Sequence, residues 1–534
     1  MRSFSFINIP AKMALLISFT LLSACGDEED TVTVNGSVFA SPVSAANVTA
    51  KDTAGNTLAG PVLTDADGNY SIVIKESDKN RNIIFEATGG SFTDEATNQA
   101  TAAGTLSAYA NGGVSSSTAM HLTPGSTIMN QLINQHGMSY TNAGTTFAAA
   151  FGYTPDTSIA PTDATNPTAG ATTEQLRAGL RAGAFSQLAN QLQLTAAQQF
   201  QLFTALAQDL SDGTLDGVDA SGAVNISGTA VNLDAAIQNR FSTALIAFHQ
   251  GNGSSSGLLN TQIGDIVAGN KAMTSSYIIE YLPGMMDPME GKSQFKVRIS
   301  NHAGTPQPGL NVSLMPMMYM ESHMHSTPLG TVTDNNDGTY ELEIYYLMGS
   351  SMGDMSMGYW EIKVMVGGMM GETALFYPDV MMAMGDTARG ILKGQMMGTD
   401  KVAGMSMDMP RPYTIFNEGV TGTTGSHDVS FFVAARETMM SYPAVNTATV
   451  LNSGDATYEL TVASITVEVS TDASSWSTAT ETANGHYAVT GLTGLTDGVQ
   501  ADIYVRLTVN GEQKTTDAAS SAGANGYATF TVTP

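Results

Sequence analysis

Hydrophobic and polar residues alternate with a period of two from Thr31, through Thr31-Val32-Thr33-Val34 and Val38-Phe39, then Asn47-Val48-Thr49-Ala50, then Tyr70-Ser71-Ile72-Val73-Ile74. This spacing, broken at Asp67-Gly68-Asn69, predicts short antiparallel strands joined by tight turns. Between about residues 119 and 270 the period changes. Leu176, Leu180, Ala184, Leu188 and Leu192 recur every four residues behind a capping box at Thr172 and Gln175. Thr195 and Gln198 repeat the device before Phe200, Phe203 and Leu206, and Ile237, Phe241, Leu245 and Phe248 form a third stripe, so this region predicts amphipathic helices packed as a bundle. The Thr/Ala/Pro-rich stretch 141–172 reads as a loop. Strands return at Phe295–Ile299, Leu310–Leu314, Thr339–Ile344 and Trp360–Val366, and Asp337-Gly338-Thr339-Tyr340 repeats the turn logic of Asp67-Gly68-Asn69-Tyr70. A Gly/Met-rich stretch from 385 to 424 reads as a linker. Alternation then resumes at Ile465–Val469, Ile503–Val509 and Ala528–Val532. The expected organisation is a segment 1–24, a β-sandwich over 25–118, an α-helical region over 119–270, a Met-rich β-sandwich over 271–384, the linker, and a C-terminal β-sandwich over 425–534. The expected fold class is multidomain and mainly β, with one helical bundle region.

The chain opens with Arg2 and Lys12, an apolar run from Met13 to Leu22, and then Ser23-Ala24-Cys25, the form of a secretory signal peptide. The run is too short to cross a bilayer core of about 30 Å. Leu22-Ser23-Ala24-Cys25 resembles the lipobox of bacterial lipoproteins; the alternative is a short membrane anchor with an incidental Cys. The resemblance implies acylation of Cys25 and attachment to the membrane through that lipid. With Gly26 and Asp27 following, it also implies transfer to the outer membrane. Several buried acyl chains, at about 0.8 kcal/mol per CH₂, make such an anchor stable. Cys25 is the one cysteine of the chain, which excludes an internal disulfide framework, a cysteine zinc site and a c-type haem motif. The 48 acidic residues against 21 basic ones give a net charge of −27, which repels phosphate backbones and argues against a nucleic-acid partner.

Thr64-Asp65-Ala66-Asp67-Gly68-Asn69-Tyr70 resembles the turn of the transthyretin-like, carboxypeptidase-regulatory type of small β-sandwich, which implies that fold for the first module; immunoglobulin-like sandwiches are expected for the later ones. Asp65 and Asp67 read as turn residues, since no further acids follow at the spacing of a calcium loop. His121, His136 and His249 stand singly and read as structural or surface residues. The chain lacks a Gly-x-Ser-x-Gly elbow, a phosphate loop, a His-Glu-x-x-His helix and a dinucleotide fingerprint, so no enzyme is expected.

The methionines alter this picture. Of 31 in the chain, 26 fall between Met273 and Met440. The densest run is Met315-Pro316-Met317-Met318-Tyr319-Met320-Glu321-Ser322-His323-Met324-His325, and a second spans Met348 to Met357. Thioether sulfur is a soft, uncharged ligand suited to Cu(I), and imidazole accepts either oxidation state of copper. Thioethers also need no deprotonation to bind. His323 and His325, two residues apart on an extended segment, are expected on one face and able to share a metal. Met as a flexible core filler accounts for Met365, inside a strand, but not for Met beside Gly, Ser, Asp and Pro. An adaptable contact surface is the intermediate reading.

The stretch from about Ser293 to Pro378 resembles a YtkA-like domain, related to periplasmic FixH-type modules. The matching residues are Pro308-Gly309-Leu310-Asn311-Val312, Met315-Pro316-Met317-Met318 with His323 downstream, Asp337-Gly338-Thr339-Tyr340-Glu341-Leu342 and Met357-Gly358-Tyr359-Trp360-Glu361-Ile362. The resemblance implies a role connected with copper, and with it Met315, Met317, Met318, His323, Met355 and Met357 as ligands. From the Met/His runs themselves, Met320, Met324, His325 and Met352 join the candidate set. The expected function is a lipid-anchored copper-binding protein of the cell envelope that scavenges, buffers or delivers the metal, with a copper donor or acceptor protein as partner. The alternative is a non-catalytic surface adhesion or assembly protein whose Met-rich loops contact a protein or organic ligand.

Overall fold

The computed structural model describes residues 30–264, 266–396, 398–520 and 522–534. The segment 1–24 and Cys25 lie outside the described residues. The protein is multidomain and mainly β. Among the described residues, no helix is long and apolar enough to cross a membrane.

The first module sets the two-stranded sheet β1 (Thr31–Ser37) and β4 (Asn69–Lys75) beside a four-stranded sheet of β3 (Thr57–Leu63), β2 (Asn47–Asp52), β5 (Ile83–Thr88) and β8 (Leu106–Ala110); β6 (Ser91–Asp94) and β7 (Gln99–Ala102) form a separate ribbon. Strict alternation in β4 puts Tyr70, Ile72 and Ile74 inside and the residues between them outside. Asp65 closes the preceding turn, its Oδ1 accepting the amides of Asp67 and Asn69, and Gly68 at φ 79° supplies the left-handed residue the turn requires.

Five helices follow: α1 (Pro124–Asn134), α2 (Tyr140–Phe151), α3 (Thr173–Gln191), α4 (Gln199–Asp209) and α5 (Ile237–Ser256). The capping box of Thr172 and Gln175 starts α3, each side chain bonding the other's backbone amide. A rosette of rings fills the bundle, Phe151, Phe185, Phe203 and Phe241 meeting edge to face and Phe147 tilted against Phe151. It is continuous with Val34, Ile72 and Phe85 of the sandwich, so the first two modules share one core. The expected loop over 141–172 is corrected in its first third. Ser139 caps α2, and Phe147 and Phe151, four residues apart, pin that helix to the core. A ribbon of β9 (Val218–Asp219) and β10 (Gly222–Ala223) leads into α5.

Gly179 on α3 packs so close to the loop before the helix that a Cβ would stand 1.8 Å from the Thr162 carbonyl oxygen. Alanine normally favours a helix over glycine by about 1 kcal/mol. Gly179→Ala is nevertheless expected to destabilise, by about 1–3 kcal/mol, because backbone must move to admit the methyl. Urea unfolding followed by circular dichroism checks the sign.

The Met-rich module packs two sheets: β11 (Lys271–Met273), β12 (Tyr277–Leu282), β13 (Gly291–Asn301), β17 (Thr339–Tyr346) and β16 (Leu329–Asp334) against β15 (Met324–His325), β14 (Val312–Tyr319), β20 (Tyr359–Val366) and β21 (Glu372–Phe376). A hairpin of β18 (Ser351–Met352) and β19 (Met355–Ser356) projects from it. The outer face of the second sheet lies on the helical body: Gln250 donates to Tyr359 Oη, Asn239 to the Leu375 carbonyl, and Tyr359 and Tyr377 join the helical core.

The expected linker 385–424 is a correction. It carries β22 (Arg389–Lys393), β23 (Lys401–Ala403), β24 (Asp408–Pro410) and β25 (Pro412–Thr423). β22 pairs with β25, and β25 with β26 (Ser426–Ala435), as the leading half of the C-terminal sandwich. The reason is burial. Leu392, Tyr413 and Ile415 turn into the core of that sandwich, Phe416 on the opposite face packs on Tyr345 of the Met-rich module, and Asp400 and Arg411 form a buried ion pair that anchors the intervening loop.

Candidate functional site

Alternation on β14 sorts the methionine run onto two faces. Met318 stands directly opposite His325 on β15 and Trp360 on β20, so the three side chains share the inner face of the sheet. The turn at Glu321–Ser322, closed by the Met320 amide on the His323 carbonyl, sets this register. His325 is 6% exposed. Its Nδ1 lies 2.7 Å from the Ser326 carbonyl oxygen and its Nε2 3.4 Å from Met348 Sδ. The ring meets Trp360 edge to face at 5.6 Å, and Trp360 Nε1 donates to the Met348 carbonyl at 3.0 Å, which holds Met348 in place.

The protonation pattern follows from these partners. A carbonyl only accepts, so Nδ1 carries the hydrogen in the neutral ring and Nε2 presents its lone pair to the sulfur. Burial holds His325 below the ordinary histidine value against the opposing pull of the Ser326 carbonyl. Two electron-pair donors thus face each other in a buried place. Donation of the remote ring N–H to a backbone carbonyl is also how metal-bound histidines are oriented. With bonds of about 2.0 Å to nitrogen and 2.3 Å to sulfur, a tetrahedral first-row ion would hold the two donors roughly 3.5 Å apart. The pair fits that separation.

The other candidates are dispersed. Met320 and Met357 are half-buried against the same core as Met318. Met317 is buried on the opposite face of β14, in register with Glu361, toward the helical body. Met315 and Met324 are exposed on that opposite face. His323 does not share a partner with His325; its Nδ1 lies 3.2 Å from Ser322 Oγ. Met352 and Met355 are exposed and face each other across the β18–β19 hairpin. Met348, absent from the expected ligand set, is the residue that completes the pair with His325. It lies just past the end of β17 at the head of the second methionine run, and nothing in the spacing marks its pairing with His325.

A second cluster went unseen in the sequence. Glu343, Glu418 and His486 bring one ligand atom each within 4.8 Å of one another, although they lie on three strands far apart in the chain. Lys292 Nζ already bonds Glu418 at 2.7 Å and Glu343 at 2.9 Å, Tyr345 Oη lies 2.7 Å from both carboxylates, and His486 Nδ1 lies 2.8 Å from Glu418. Lys292 supplies the positive charge a metal would bring, so the cluster is a charged knot between the Met-rich and C-terminal sandwiches. Burial pushes the Glu418 carboxyl up, but hydrogen bonds from His486, Lys292 and Tyr345 outweigh it and hold the value down at about 2 against an ordinary 4.5. A depressed carboxyl contributes stability that is full above its unfolded value and is lost as pH falls through its folded one. The junction is therefore expected to loosen between about pH 4.5 and 2. Limited proteolysis across that range, compared with Glu418→Gln, which should be equally cleavable at neutral pH, checks this.

No protein-family model matches the chain. No curated protein matches it. Among solved structures, similarity is found to the adhesin InvE of Yersinia pseudotuberculosis at 14% identity, covering 44% of this chain and 56% of that one, with a TM-score of 0.15. It is also found to the Escherichia coli adhesin FdeC at 16% identity, covering 50% and 65%, with a TM-score of 0.15, and to the integrin-binding protein invasin at 15% identity, covering 43% and 37%, with a TM-score of 0.16. The chain thus spans less than two thirds of each of these structures. Scores of this size carry no argument about arrangement or activity.

Proposed function

We propose that this chain is a lipid-anchored protein of the cell envelope that binds copper, holding Cu(I) between His325 Nε2 and Met348 Sδ and gathering further ions on the exposed methionines of the same module. The observation that carries the reading is the buried pair of lone-pair donors 3.4 Å apart, with the imidazole tautomer set by Ser326. Met318, Met320 and Met357 on the same core supply further thioethers, and the Trp360 ring closes one side. Methionines exposed around the module, among them Met285, Met286, Met369 and Met370, offer weaker, exchangeable sites suited to passing the metal to a donor or acceptor protein. Cys25 would tether the body to the outer membrane.

Anaerobic titration of the full mature chain with Cu(I) against a competing chelator tests this. One equivalent should bind more tightly than micromolar, and Met348→Leu, which keeps the volume and removes the sulfur, should weaken it roughly 10- to 100-fold. Binding weaker than micromolar, or indifference to Met348, removes the copper reading. The second reading, a surface adhesion or assembly protein, is favoured by the exposure of those loop methionines, since large solvent-facing apolar side chains mark contact surfaces. It would be left standing by that outcome.

A further inference from the structure

A cleft of about 920 Å³ opens where the Met-rich sandwich meets the C-terminal one, sharing Lys292 and Glu418 with the charged knot at one edge. Its volume lies within the range of about 300–1,000 Å³ typical of small-molecule sites. Tyr281 and Phe295, stacked at 4.8 Å, form part of its wall. The loops 283–290 and 383–388 bring Met285, Met286, Met289 and Met384 to its mouth. Met285, Met286 and Met384 are exposed, unbranched and polarisable, and can close over a ring of varied outline.

The decisive feature is Tyr346. It lines the cleft, is completely buried, and among the described residues its hydroxyl has no hydrogen-bond partner. A buried hydroxyl left unpaired is destabilising, and most such groups in proteins are paired. A ligand atom that accepts from Tyr346 Oη would remove that cost. Burial and the neighbouring Tyr281 keep this phenol protonated, so it acts as a donor. Of the lining carboxylates, Glu290 is held by Arg389, Glu418 by Lys292 and His486, Asp386 by Thr533 and Glu341 by Lys296, which leaves Asp287, exposed on the 283–290 loop. One solvent-exposed carboxylate does not make a cation site, and the acidic balance of the lining repels an anion.

We propose that this cleft binds a neutral, ring-containing organic molecule whose carbonyl or ether oxygen accepts a hydrogen bond from Tyr346, with the ring held between Tyr281, Phe295 and the mouth methionines. The site is separate from the His325–Met348 pair and does not depend on it.

Nile red, a neutral planar dye with a carbonyl acceptor whose emission responds to both polarity and hydrogen bonding, is the probe. Titrated into the full mature chain, it should give saturable 1:1 binding with blue-shifted emission. Tyr346→Phe removes one oxygen to which no described residue bonds, so its melting temperature should be unchanged or higher. That variant should bind the dye roughly 3- to 10-fold more weakly, the range for one hydrogen bond, with emission shifted further to the blue. Ala383→Trp, at the mouth, should abolish the saturable signal, while Met369→Leu and Met370→Leu, outside the cleft, should leave it intact. Prior loading with one equivalent of Cu(I) should change nothing, so the cleft and the copper site fail independently. Absence of saturable binding overturns the proposal. So does equal binding by the wild type and Ala383→Trp, or by the wild type and Tyr346→Phe.

Discussion

Replacing Asp400 with Asn is expected to destabilise the C-terminal sandwich by about 3–5 kcal/mol, the cost of leaving buried charge without its partner. Arg411 and Lys514 have side chains 0% and 1% exposed, and Asp400, at 4%, is the group between them. Its Oδ1 takes Arg411 Nε at 2.8 Å, and its Oδ2 takes Lys514 Nζ and Tyr413 Oη, each at 2.6 Å. The rest of the Arg411 guanidinium is spent on the carbonyls of Lys401, Arg436 and Tyr458 and on Asn452 Oδ1, so it cannot turn to another counter-ion. Lys514 keeps Glu512; Arg411 keeps no anion. For a unit of this size the loss corresponds to a fall of roughly 10 °C in the melting transition of that sandwich, read by differential scanning calorimetry. Asp408→Asn, which breaks the exposed pair with Lys401, should stay within about 1 kcal/mol of the wild type. Equal effects of the two substitutions would show that the 385–424 segment is not built into the sandwich.

The second large effect concerns the metal. His325→Leu should lower the affinity of the tightest Cu(I) equivalent by about 100-fold or more, since losing even an outer partner of a metal-bound histidine typically costs 10- to 100-fold. It removes the one nitrogen donor of the buried pair and leaves Met348 Sδ facing an aliphatic chain. Met315→Leu and Met324→Leu, on the opposite face of the same sheet, should leave that first equivalent unchanged and lower only the later, weaker ones. The same chelator competition reads all three. If the outer-face substitutions matter as much as His325→Leu, copper is held by the dense sequence run as a whole and the inner pair has no special role.

Much of this was legible in the chain. The strands of the first and third modules follow from strict alternation, and α3 follows from its capping box and its spacing of four. What was missed had a common cause in long-range packing. Asp400 and Arg411 look like linker polarity until Lys514, 114 residues from Asp400, is folded against them. Gly and Met in the same stretch mask the inward rhythm of Tyr413 and Ile415. In α2 the cap at Ser139 and the pair Phe147/Phe151 were a usable signal, hidden by the surrounding Thr and Ala. The methionine run marked the module that holds the candidate site. Which of its members turn inward depended on the Glu321–Ser322 turn, which sends His325 to the core and leaves His323 at the surface. Met348 and the Glu343/Glu418/His486 knot could not be found from spacing, because their neighbours come from other strands.

Copper K-edge X-ray absorption on the full mature chain loaded anaerobically with one equivalent of Cu(I) addresses the proposed site most directly. The expected spectrum shows one imidazole nitrogen together with thioether sulfur around the metal, and loses the imidazole scattering in His325→Leu. A sulfur-only shell, or a spectrum identical in wild type and His325→Leu, would contradict copper binding at the His325–Met348 pair.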